Sequence, residues 1–393
     1  MRLSESNKLP GLNGLRAIAA LIVLIGHVYQ VAGFYGVKEA TVVFSRYDVG
    51  MDMVNLFFVI SGFIITYTLL HEKDKFQNIS LRHFYIKRTL RIWPVYFLVM
   101  AIVFIITNFT NVYDEYNIGM YGQKHLFDAN VIVILSFFVT NFYIVFHQPV
   151  SILPHYWSLS VEEQFYILWP IMFKFISPFK AAVFVLLAPV CLKILTDYMI
   201  FHSGSTQFWA MVWNVMHYTG YGSMGIGALG AVLAYKRKES LKLIFHPFVQ
   251  FSCWLLFALS IIFRDQIPYI PYIRNEVMAV VYLVIILNVT LNKKVFISLE
   301  NKVFDKIGTV SYGIYMYHYP LLPLLILALK YLGIWPHFTM FHQVPLVVLT
   351  ILTTYCLASV SFAYFEQPFL NLKPKRYSRL TNRGIKYVKT TTL

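Results

Sequence analysis

The chain has 393 residues, 58% of them hydrophobic and only 13% charged. A water-soluble globular chain carries about 25% charged residues, so this composition excludes an ordinary soluble enzyme and marks a polytopic membrane protein. The net charge of +15 does not indicate nucleic acid, because Lys and Arg gather in short segments between apolar runs and near the C-terminus, the positive-inside pattern.

The first apolar run, Gly11 to Gly33, reads GLNGLRAIAALIVLIGHVYQVAG. No small-residue cleavage pattern ends it, so it is expected to stay as the first helix. Arg16 and His27 interrupt it. Their separation of 11 residues amounts to about three helical turns plus roughly 20°, or about 16 Å along the axis. Both therefore share one face of one helix. Ionisable groups inside a membrane helix are costly and face a protein interior or a polar cavity. This face is read as the wall of a reaction channel.

Further apolar runs follow near residues 50–70, 88–107, 129–147, 161–177, 181–201, 214–235, 247–264, 276–291, 309–330 and 344–366. Basic segments fix the sidedness expected of the connections. Residues 71–91 carry Lys73, Lys75, Arg82, Lys87, Arg88 and Arg91; 236–242 and 292–306 are also Lys-rich, as is the tail from Lys373 to Lys389. All of these are expected on the cytoplasmic side. An even number of crossings must then lie between the first two, so one run there is not a span. Dropping 129–147 places Lys174 and Lys180 inside, and makes that run a re-entrant or interfacial segment buried in protein. The expectation is an all-α polytopic membrane protein with about ten transmembrane helices and both termini cytoplasmic. Cys191, Cys253 and Cys356 all lie in apolar runs, fit no metal-ligand spacing and suggest core packing.

Arg16 near the cytoplasmic mouth can hold a phosphate or carboxylate, and His27 deeper in the membrane can act as general base. A snorkelling Arg and a His satisfied by backbone are the structural alternative. Arg88 and Arg91, at i and i+3, share a face at the start of the third run. Their guanidinium forks match phosphate oxygens, although ordinary anchoring also explains them. In HYWSLSVEEQFYILWP (155–170), Glu162 and Glu163 sit among aromatics. A carboxylate there can orient a catalytic His or bind sugar hydroxyls, and Trp157 and Tyr166 can stack on sugar or pantetheine. Ser158 or Ser160 followed by acids also reads as a helix cap. Asp48 and Asp52 precede the second run and are candidate partners for His27; Asp52 and Glu162 are the two carboxylates expected to orient it. Ser61-Gly62 suits close helix packing. Lys193 and Asp197, at i and i+4, suggest an internal ion pair, and His318 in SYGIYMYHYP is a second intramembrane histidine. Neither a GxSxG elbow, nor an HExxH zinc site, nor a Gly-rich phosphate loop occurs, so no metal is expected.

Taken together, these segments resemble the acyltransferase-3 family of integral membrane acyltransferases. The resemblance rests on the Arg16–His27 spacing, FFVISGF (57–63), the Arg88/Arg91 pair, WSLSVEEQFY (157–166), SYGIYMYH (311–318) and FEQP (365–368), in order along nearly the whole chain. It implies a membrane acyltransferase domain over residues 1–370, a basic cytoplasmic tail over 371–393, and no appended SGNH hydrolase-like domain. It further implies an O-acyltransferase, acetyl being the usual group, of the bacterial cytoplasmic membrane. The donor would be acetyl-CoA or another acyl-CoA, used as co-substrate with no permanently bound cofactor. The acceptor would be a hydroxyl of a surface or lipid-linked glycan such as O-antigen or exopolysaccharide.

On this reading His27, Arg16 and Glu162 form the catalytic set, Arg88 and Arg91 join Arg16 on the coenzyme phosphates, and Trp157, Tyr166 and Asp52 face the acceptor. The rival reading is a transporter or exporter of a lipid-linked sugar or other envelope precursor, since such proteins also line cavities with Arg, Glu and His. Paired interrupted helices in two related halves, common in transporters, are not evident.

Overall fold

A computed structural model describes residues 9–37, 49–122, 127–147, 149–202, 206–236, 241–263, 274–335 and 340–374. Asp48 and the tail beyond residue 374 lie outside them. The described residues are helical throughout, joined by short loops. In chain order the helices are α1 (Leu12–Phe34), α2 (Val49–Phe76), α3 (Leu81–Phe109), α4 (Asp114–Tyr121), α5 (Ala129–Ser136), α6 (Thr140–Phe146), α7 (Tyr156–Phe175) and α8 (Pro178–His202). Then come α9 (Thr206–His217), α10 (Tyr221–Lys236), α11 (Pro247–Ile262), α12 (Arg274–Leu291), α13 (Lys302–Thr309), α14 (Ser311–Tyr331) and α15 (Met340–Ser361). A π-turn (Phe362–Glu366) continues α15 into α16 (Gln367–Asn371).

Among the described residues, 7 helical segments are long and apolar enough to cross a bilayer: α1, α2, α3, α8, α12, α14 and Gln343–Asn371. The protein is thus an all-α polytopic membrane protein. The other three expected spans are helical but less simple. Helix α7 carries Glu162, Glu163 and Lys174. Helices α10 and α11 have 16 residues each, about 24 Å, against a hydrocarbon core of about 30 Å.

Helix α1 is the axis of the bundle. It packs against α2, α12, α13, α14 and α15, and Ala17, Ala19, Ala20, Val23, Leu24, Val28 and Val31 are all buried along it. Small side chains let this many neighbours reach one helix. The α2–α10 contact works the same way. A Cβ on Gly62 would overlap the Met224 carbonyl oxygen, and one on Gly227 would overlap that of Val59. The Ser61-Gly62 pair is therefore a helix-packing device on its glycine side.

The run 129–147 is not one spanning helix. It is two helices of 8 and 7 residues, α5 and α6, broken at Phe138, whose φ is +54°. Other helices satisfy the freed backbone. Gln164 Nε2 donates to the Phe138 carbonyl at 2.7 Å, and the Tyr96 hydroxyl donates to the Leu135 carbonyl at 2.8 Å. Irregular backbone inside a bundle is tolerable only with such partners.

Three expectations need correction. The run 214–235 is not one helix: it breaks between α9 and α10 at Gly220, whose φ is +55° and whose missing Cβ makes room for the Phe58 ring. Lys193 pairs across helices with Glu276, at 3.1 Å, rather than with Asp197. Asp197 neighbours it on the helix surface, whereas Glu276 approaches from inside the bundle, where an uncompensated ammonium costs most. Cys253 is buried as expected, but Cys191 and Cys356 face outward.

Candidate active site

The ionisable groups inside the bundle fall into two layers along α1. The first surrounds Arg16. Its charged and phenolic neighbours are Arg91, Glu162, Tyr166 and Arg88, from α3 and α7. Ser80 caps the start of α3 by accepting from the His83 N–H at 3.3 Å, which sets the helix so that Lys87, Arg88 and Arg91 enter within its first turns. Glu162 is the hub of the layer. Its Oε1 accepts from Ser61 Oγ at 2.9 Å and its Oε2 from the Tyr166 hydroxyl at 2.7 Å. The Arg88 guanidinium lies 5.4 Å from the centre of the Tyr166 ring, a cation–π arrangement.

Arg91 is exposed, yet it has Arg88, Tyr166, Glu366 and Tyr312 around it. Arg91 therefore stands at the accessible edge of the cluster, its vestibule. The π-turn aims Glu366 inward, with Ser361 Oγ 3.4 Å from its Oε1. Just beyond α16, Lys373 closes the ring. Partial burial first, then Arg91, Arg88 and Lys87, pull its amine down to about 8. Five cations thus meet two carboxylates, Glu162 and Glu366. A positive excess of this kind raises the local concentration of anions.

The second layer surrounds His27. Its Nδ1 lies 2.8 Å from Nε2 of His318 on α14, and His318 Nδ1 lies 3.1 Å from the Ile314 carbonyl. The two imidazoles lie end to end and nearly in one plane, with ring centres 5.0 Å apart and 12° between planes. A third histidine, His155 at the head of α7, sits 5.4 Å from His318 and stacks on Tyr319 at 5.7 Å. Tyr319 also meets the His27 ring edge-on at 4.9 Å and shares a 2.9 Å hydrogen bond with Tyr116 of α4. Pro320 has no N–H for the Met316 carbonyl one turn back; the His155 ring lies beside that carbonyl. Among the described residues no three His, Cys, Asp or Glu side chains are arranged to hold a metal.

Arg16 and His27 both keep accessible surface inside the bundle, while Ala20 and Val23 between them on the same face are fully buried. The two layers are separated by an apolar collar along α1, so the open reaction channel expected along this face is corrected: packed side chains close it between Arg16 and His27.

The remaining expected site residues lie as follows. Glu162 belongs to the arginine layer rather than to His27, because α7 brings it alongside Ser61 on α2. Asp52 is buried against Arg274, 3.7 Å away. The partner on the His27 ring is therefore a histidine, and the expectation of Asp52 or Glu162 as its orienting group is corrected. Trp157 and Tyr166 do not form one platform. Nine positions along α7 place them about 13 Å apart. Trp157 instead meets Phe58 at 6.1 Å and Tyr218 at 5.5 Å, both edge-on. His155 was not singled out, although it heads the same motif as Trp157; His318 was noted without a role.

Comparison with known proteins supplies the family. An acyltransferase domain model, that of the acyltransferase-3 family, matches residues 9–363. The chain is 26% identical to "Peptidoglycan O-acetyltransferase OatA" of Listeria monocytogenes, over 96% of this chain and 59% of that protein. It is 27% identical to "Putative peptidoglycan O-acetyltransferase YrhL" of Bacillus subtilis, over 98% of this chain and 58% of that protein. The chain thus spans under two thirds of the length of these curated relatives. No solved structure matches it. A family match that runs from before Arg16 to beyond His318 takes in both layers, and the chain belongs to the acyltransferase-3 family of membrane acyltransferases.

Proposed function

We propose that this protein transfers an acyl group, acetyl by analogy with the names of its relatives, from cytoplasmic acyl-CoA to a hydroxyl of a cell-envelope glycan. The observation that carries this reading is the alignment of a cation-rich vestibule and a deep histidine on one face of α1, about 16 Å apart. An extended phosphopantetheine arm has about that length. The relatives' names favour peptidoglycan over O-antigen or exopolysaccharide as the acceptor.

The coenzyme phosphates rest on Arg88, Arg91 and Arg16, whose forks each offer paired N–H donors to phosphate oxygens. Glu162, which accepts from Ser61 and Tyr166, offsets part of the charge of Arg16. The arm passes the Ala20–Val23 collar, which must part to admit it, and the thioester reaches His27. His27 takes the proton of the acceptor hydroxyl as that oxygen adds to the thioester carbonyl. Collapse of the tetrahedral intermediate breaks the C–S bond. The CoA thiolate leaves with the proton from His27, so the base is restored and an ester is formed. Trp157, flanked by Phe58 and Tyr218, offers an aromatic wall for a sugar. In this reading the protein lies in the cytoplasmic membrane with both termini inside, residues 1–370 forming the catalytic domain and 371–393 a basic tail.

The test uses the full chain in detergent or nanodiscs with acetyl-CoA, reading CoA release, and the native host, reading O-acetyl groups on muropeptides and on surface polysaccharide by mass spectrometry. His27→Ala should abolish both signals at normal expression. Unchanged O-acetylation in that variant would refute the assignment.

A further inference from the structure

We infer that His318 is the positioning residue for His27, fixing its tautomer and sharing the proton it takes up, in the place where a carboxylate stands in other histidine-dependent acyl transferases. The inference rests on His27 being the base, and it assigns that base its partner.

The argument is a count of protons. A backbone carbonyl can only accept. His318 Nδ1, 3.1 Å from the Ile314 carbonyl, must therefore carry a proton and donate it. A neutral imidazole has one N–H, so His318 Nε2 holds a bare lone pair. That lone pair faces His27 Nδ1 at 2.8 Å. Two lone pairs at this distance would repel, so the proton between them belongs to His27 Nδ1. The Nε2 of His27 is then unprotonated, the state a general base requires. One carbonyl on α14 thus sets the protonation pattern of two rings on two helices.

The packing holds this chain of donors in register. The rings are nearly parallel, and Tyr319 blocks rotation of His27 from the side. His318 itself is 1% exposed. When His27 Nε2 accepts the hydroxyl proton, its Nδ1–H bond to His318 shortens or transfers outright. The positive charge then spreads over two imidazoles instead of resting on one. Among the described residues both hydrogen bonds of this pair, His27 to His318 and His318 to the Ile314 carbonyl, run without a carboxylate. This differs from a serine-hydrolase-type triad, in which a carboxylate orients the histidine.

The experiment compares His318→Phe with His318→Gln in the full chain. Phe keeps the ring shape and removes the acceptor; Gln places a carbonyl oxygen near the Nε2 position. We expect Phe to lower kcat by about 10²–10³-fold, the scale of a general-base contribution, with the KM for acetyl-CoA unchanged. Gln should restore most of kcat. Equal loss in both variants, or wild-type kcat in Phe, would overturn the inference. A second measurement needs no variant of His318. In ¹⁵N-histidine-labelled wild-type protein, the signal lost in His27→Ala should report a ring protonated at Nδ1 and bare at Nε2. The opposite tautomer would overturn the inference even if His318→Phe fails to fold. Full activity in His27→Ala would instead remove the functional reading on which it rests.

Discussion

The arginine layer and the histidine layer sit on the same helix and are built on opposite principles. Around Arg16 the charges are formal, in excess and partly accessible, and the side chains are long. Around His27 the described groups are compact aromatic rings, and their hydrogen bonds run ring to ring and ring to backbone. Charge attraction falls off slowly with distance and tolerates imprecise placement, so a vestibule made of flexible cations suits a mobile phosphate group. Proton transfer needs atoms within hydrogen-bond reach, so the reacting layer is locked by aromatic packing. On the function proposed above, binding and chemistry are separated by about three turns of α1.

If that contrast is right, variants in the two layers should fail differently. The largest effect is expected from His27→Ala, which should cut kcat by about 10²–10⁴-fold while donor binding, read by thermal stabilisation with CoA, persists. Next comes Arg91→Ala. Loss of a charge-assisted contact costs about 1.5–3 kcal/mol, so the KM for acetyl-CoA should rise by roughly 10–100-fold. Kcat should change little, and Lys should recover only part of the loss, because it lacks the planar fork.

Gly62→Ala tests the scaffold common to both layers. The added methyl would meet the Met224 carbonyl, and overpacking of this kind costs about 1–3 kcal/mol. The melting temperature in detergent should fall while KM stays close to wild type in the folded fraction. The smallest effect is expected at Lys373. Its amine, with a pKa of about 8, is charged below that pH and neutral above it. Donor KM should therefore rise by a few fold as pH passes from about 7 to 9. Lys373→Gln should show the high-pH value throughout, with no step. A step that survives in Lys373→Gln would detach this residue from the vestibule.

Much of the arrangement was legible in the chain before any coordinates. The helical period alone placed Arg16 and His27 on one face, because 11 residues return nearly to the same angle. Charge parity alone removed 129–147 from the spans, and the broken helices at Phe138 agree. Local patterns failed where a distant helix offered a better partner. The i,i+4 rule joined Lys193 to Asp197, but Glu276 lies closer inside the bundle. Residue type offered Trp157 and Tyr166 alike for stacking on sugar or pantetheine, but α7 carries Tyr166 down to Arg88 and Glu162. Likewise Glu162 has the chemistry to orient an imidazole but sits at the wrong height.

Sequence alone determined the membrane setting, the helical architecture, the family and the two key positions on α1, because hydropathy, charge asymmetry and helical period are all written along one dimension. Only tertiary structure decided which residues complete each layer. His318 lies 291 positions from His27, and no local pattern records that α14 would bring its ring, with a carbonyl behind it, against α1. The partner of a buried polar group is chosen by which helix packs there, since within the bundle the nearest satisfied geometry outweighs proximity along the chain.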